Sequence, residues 1–79
     1  MKFLDKHELK EFLIDLYERY LRGEKVNETA KKIFLDYAGA GNFLEKNVYD
    51  AILTLESIGW GLETSKIEIE NILQELKKL

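Results

Sequence analysis

Few side chains in this sequence could carry acid–base or metal chemistry. His7 is the only histidine and there is no cysteine. An imidazole becomes a general base or a metal ligand when a carboxylate, a nucleophile or further ligands accompany it at fixed spacing. His7 stands between Lys6 and Glu8 in what should be the first turn of a helix, with no such company, and is expected to be an exposed polar residue. Carboxylates are plentiful. Glu8, Glu11, Asp15 and Glu18 follow one another at spacings of three and four, which places them down one side of a helix. Lys10, Arg19 and Arg22 are interleaved with them, so a solvated face of local ion pairs is expected rather than a cation site.

Other signatures fail on the same grounds. Helical carboxylates lack the histidine three residues on that a di-iron bundle requires. The stretch Ala38-Gly39-Ala40-Gly41-Asn42 is glycine-rich, but it joins two helical segments and lacks the preceding strand and the lysine of a phosphate-binding loop. Ser57 and Ser65 are the only serines, and neither has the Asp-Ser-Leu setting by which an acyl carrier protein holds its prosthetic group. No catalytic, cofactor-binding or metal site is expected, and the chain is not expected to be an enzyme.

The elements that carry these residues are helices. Glycines divide the chain, proline is absent, and apolar residues recur at helical spacing between the divisions. The pattern predicts one all-α domain over 1–79, a four-helix antiparallel bundle with helices at about 5–22, 27–38, 43–58 and 64–78. Asp5 with Glu8 has capping-box spacing, and Leu9, Phe12, Leu13, Leu16 and Tyr20 form the first stripe, ending at Gly23. Asn27 is expected to cap the second helix, whose stripe is Ala30, Ile33, Phe34 and Tyr37 and whose stop is Gly39 and Gly41. Asn42 and Glu45 should cap the third, with Leu44, Val48, Ala51, Ile52, Leu55 and Ile58 inward and Gly59 and Gly61 as its stop. Ser65 and Glu68 should cap the fourth, whose stripe is Ile69, Ile72, Leu73 and Leu76. Short connections favour antiparallel neighbours.

Charge narrows the partner. The net charge is −3, and it is unevenly placed. Residues 45–63 hold Lys46 against Glu45, Asp50, Glu56 and Glu63, while every other segment balances. An acidic excess disfavours nucleic acid and favours a basic protein surface. No stretch approaches the roughly 18 apolar residues of a membrane span. The first ten residues lack the apolar run of a secretion signal, so a cytoplasmic location is expected.

Two surfaces stand out. At about 100° per residue, Glu45, Tyr49, Leu53 and Glu56 share a flank of the third helix, with Trp60 one turn further and Glu63 beyond. Tyr and Trp combine large apolar area with a polar handle, and surrounding carboxylates would steer a basic protein to them. On the first helix, Ile14, Tyr17 and Leu21 widen the apolar arc to roughly 200°, more than one bundle face needs. The N-terminal Phe3-Leu4 segment or a second subunit would have to cover them.

Residues 12–25, F-L-I-D-L-Y-E-R-Y-L-R-G-E-K, and 67–76, I-E-I-E-N-I-L-Q-E-L, resemble the first helix with its turn and the last helix of the colicin D-type immunity proteins. The resemblance covers about a third of the chain. It implies a small acidic four-helix bundle that binds a basic toxin nuclease and blocks its active site with carboxylates, and it assigns no inhibitory residue. The expected function is therefore a protein-interaction module, of immunity, antitoxin or adaptor type, that meets a basic partner through the third helix and the Trp60 turn. The alternative is a structural homo-oligomer joined through the first helix.

Overall fold

The computed structural model describes residues 5–39 and 44–78. It contains α1 (Lys6–Leu21), α2 (Asn27–Tyr37), α3 (Lys46–Gly59) and α4 (Lys66–Lys77), with no strand among the described residues. The architecture is a compact all-α arrangement of four helices. No helix is long and apolar enough to cross a membrane among the described residues.

Pairings across the helices fix their directions. Tyr49 meets Ala38 and Asn27 meets Ile58, so α2 and α3 run antiparallel. Asn47 near the start of α3 meets Glu75 near the end of α4, again antiparallel. Glu18 of α1 meets Lys77 of α4, and the two helices pack on each other. All of α1, α2 and α4 pack on α3. The closest pair is α2 with α3, followed by α1 with α4, whereas the consecutive helices α1 and α2 share little contact. Sequence neighbours are therefore not the main spatial neighbours of α1. It lies against α4 and α3 instead.

That placement accounts for the wide apolar arc of α1. Leu9, Leu13, Leu16 and Tyr17 are fully buried, and Ile14, Tyr20 and Leu21 are half-buried against the same core. Two packing partners need two adjoining stripes, so no second subunit is required to cover the arc. Tyr17, expected with Ile14 and Leu21 on a self-association side, is inside, where its hydroxyl donates to the Ala51 carbonyl of α3. A phenol can be buried when its one donor finds an acceptor. Burial, with Glu68 adding to it, pushes the Tyr17 pKa well above that of an ordinary tyrosine. Phe12, placed inward by the spacing, is instead 36% exposed. The Phe3-Leu4 segment, the other candidate cover, lies outside the described residues.

Helix ends follow local chemistry in some places and not in others. The Asp5 carboxylate accepts the Glu8 N–H at 2.8 Å, as the spacing predicts. The α1 stop is a Schellman turn: Gly23 takes φ +88°, with its N–H donating to Tyr20 and the Glu24 N–H to Arg19. The other caps differ from expectation. Val26, which is buried, precedes α2, and Asn27 is already helical, because its side chain is drawn across to the Ile58 carbonyl at 2.9 Å. Glu45 is itself the residue before α3 and makes no side-chain cap bond; Asn42 and Gly41 lie outside the described residues. Ser65 stands at the cap of α4, also without a side-chain bond.

Candidate interaction face on α2 and α3

The end of α3 sets the position of Trp60. Gly59 is the last helical residue, not a stop. A Cβ at Gly59 would lie 2.9 Å from both the backbone N and the Cα of Lys31, so the two helices can approach this closely only because the residue is glycine. Gly61 supplies the stop at φ +76°, with its N–H donating to Ile58 and the Leu62 N–H to Ser57, a second Schellman turn. Trp60 is held between these two constraints, with its own N–H donating to Glu56.

The indole neither folds under the bundle nor stands free. It is 47% exposed. Phe34 of α2 meets it edge to face, with ring centroids 5.8 Å apart and planes at 88°. The Lys31 ammonium lies 5.0 Å from the indole centroid. Further along α3, Tyr49 is half-buried and its hydroxyl donates to the Ala38 carbonyl at 3.0 Å, which ties the flank to the end of α2. Leu53 and Leu62 are exposed, as is Leu35 on α2. Spacings of three and four put Lys31, Phe34, Leu35 and Ala38 along one side of α2, and the contacts of three of them with α3 fix that side against the Tyr49–Trp60 flank.

Glu56, Glu63 and Glu45 are exposed; Glu56 and Glu63 stand near the Trp60 end of α3, whereas Glu45 lies at its start, next to Lys6, His7 and Lys10 of α1. Among the described residues none of them forms an ion pair, and neither does Asp50. Some charges elsewhere are engaged. Arg19 and Arg22 both hold Glu24, whose carboxyl they keep below the usual range; Lys77 reaches Glu18 and Lys78 reaches Glu75. Arg19 also lies near Asp15, and His7 near Glu11, as the interleaved charges of α1 predict. No group of three or more His, Asp or Glu able to hold a metal ion occurs among the described residues.

Angular placement finds the α3 half of this face and misses the α2 half. The spacing assigns Phe34 inward and leaves Leu35 as one stray apolar residue. Only the pairing of α2 with α3 brings Lys31, Phe34 and Leu35 to the Trp60 side, and nothing local to α2 announces that pairing. On α1, Ile14 and Leu21 remain partly accessible, but with Tyr17 inside they do not make a continuous seam.

Fold and face together define a small all-α protein with one acidic, aromatic and apolar surface. No family model, curated protein or solved structure matches the chain.

Proposed function

We propose that this chain is a protein-interaction module of the cytoplasm that binds a basic protein through the α2–α3 face. The observation that carries this reading is the meeting of charge and apolar surface at the end of α3. Glu56 and Glu63, from the one segment with an acidic excess, form no ion pair among the described residues and accompany exposed Leu53, Trp60 and Leu62, while Glu45 is likewise exposed without an ion pair at the start of α3. Exposed aromatic and aliphatic side chains supply area to desolvate, and unpaired carboxylates at the rim supply long-range attraction for a cationic surface. An immunity or antitoxin role, in which the module covers the basic active site of a nuclease, suits such a face and agrees with the resemblance of residues 12–25 and 67–76.

The test is capture of binding proteins by the immobilised full chain at low and high salt, in parallel with Glu45→Lys/Glu56→Lys and with Trp60→Ala. The expected result is a basic protein held by the wild-type chain, released by salt and lost with both variants. A set of bound proteins that is the same for all three chains overturns the reading.

A further inference from the structure

The most specific chemistry on this face is the indole of Trp60 with a cation already on it. Lys31 is placed there by the packing: its backbone is fixed against Gly59, and its side chain crosses to the ring, 5.0 Å from the centroid. Phe34 steadies the indole edge to face. Lys31 forms no ion pair among the described residues, so the ring is the partner its ammonium has. Glu56, one turn before Trp60, adds an exposed carboxylate that forms no ion pair among the described residues.

Resting on the basic-partner function proposed for this face, we infer that the Trp60 ring is the seat for an arginine of that partner, and that Lys31 is a resident cation which the arginine displaces. The electron-rich face of an indole attracts cations in general. A guanidinium suits it better than an ammonium, because it is planar, stacks on aromatic faces and is more weakly hydrated. Its fork of donors can also engage a carboxylate such as Glu56. Lys31 gives up the ring at little cost, since a half-exposed ammonium on a flexible stem returns readily to water. Lys31 thereby screens the face against weakly basic surfaces and admits one that presents arginine.

Trp60 is the only tryptophan, so its fluorescence reports on this seat directly. The probe is an amphipathic helical peptide of about 15 residues with arginines along one face, compared with versions carrying lysine or uncharged citrulline at the same positions. The arginine peptide is expected to shift Trp60 emission in a saturable, salt-sensitive way, to bind more tightly than the lysine peptide, and to lose its binding to Glu56→Lys. Lys31→Met, which keeps the apolar stem and removes the charge, should tighten the arginine peptide about two- to fivefold, the size of one exposed cation–π contact; Lys31→Gln serves if that variant does not fold by circular dichroism. Equal binding of arginine and lysine peptides, with no gain in either Lys31 variant, overturns the inference and leaves the basic-partner reading standing. No shift with either cationic peptide, or equal binding of the citrulline peptide, overturns both.

Discussion

Gly59 and Lys31 touch through their backbones: a Cβ at position 59 would fall 2.9 Å from the Lys31 N and Cα. This contact sets the spacing of α2 and α3 and, one residue later, the position of Trp60. In an isolated helix, Gly→Ala would stabilise, because alanine loses less conformational entropy. Here Gly59→Ala must push two helices apart. The variant is expected to be less stable by about 1–3 kcal/mol, as overpacked sites are, and to shift Trp60 emission in the folded state. Chemical denaturation with fluorescence detection measures both, and an alanine variant as stable as the wild type would contradict the close approach.

The Tyr17–Ala51 hydrogen bond joins α1 to α3 across 34 residues of sequence. Tyr17→Phe should cost about 0.5–1.5 kcal/mol at neutral pH, the usual worth of such a bond. At high pH the order should reverse. The folded-state pKa of Tyr17 is raised, so its contribution is intact below the ordinary tyrosine pKa of about 10 and is lost as pH rises above it. The unfolded chain releases the proton there and the folded chain does not, a loss of about 1.4 kcal/mol per pH unit. Urea denaturation of both proteins between neutral pH and about pH 11.5 should show the phenylalanine variant becoming the more stable at about pH 11.

Asp5 and Ser65 both stand at helix starts, and only Asp5 makes a side-chain cap bond. Asp5→Ala should lower the thermal midpoint, and Ser65→Ala should leave it nearly unchanged. Hydrogen bonding to the Glu8 N–H lowers the Asp5 pKa, so the cap is at full strength above the ordinary aspartate value and weakens as pH falls through the depressed one. The gap between wild type and Asp5→Ala should therefore close in strong acid.

With Tyr17 buried and α1 packed on two helices, the apolar arc of α1 is used within the chain. Native mass spectrometry at micromolar concentration should show a monomer. A dimer weakened by Ile14→Lys or Leu21→Lys would restore α1 as an interface.

Most of the fold was legible because helical period and turn chemistry are local. The inward positions of α3 from Val48 to Ile58 are buried as the spacing predicts, and Gly23 and Gly61 adopt the left-handed conformation that ends a helix. What was not legible depends on partners distant in sequence. Asn27 looks like a cap until Ile58, 31 residues on, takes its side chain. Gly59 looks like a stop until Lys31 occupies the space of its missing Cβ. Tyr17 looks like surplus apolar surface until the Ala51 carbonyl accepts a hydrogen bond from its hydroxyl. The face on α3 followed from angular placement alone, but its α2 half required the pairing of the two helices.

The carboxylates along α3, Glu45 and Glu56, which form no ion pair among the described residues, are proposed to hold a basic protein. Titration calorimetry of the captured partner against the wild-type chain and Glu45→Lys/Glu56→Lys decides this, with folding of the variant checked by circular dichroism. The expected result is binding by the variant weakened about tenfold or more, and a wild-type affinity that falls as salt rises. An affinity unchanged by the double reversal and insensitive to salt would contradict the proposal.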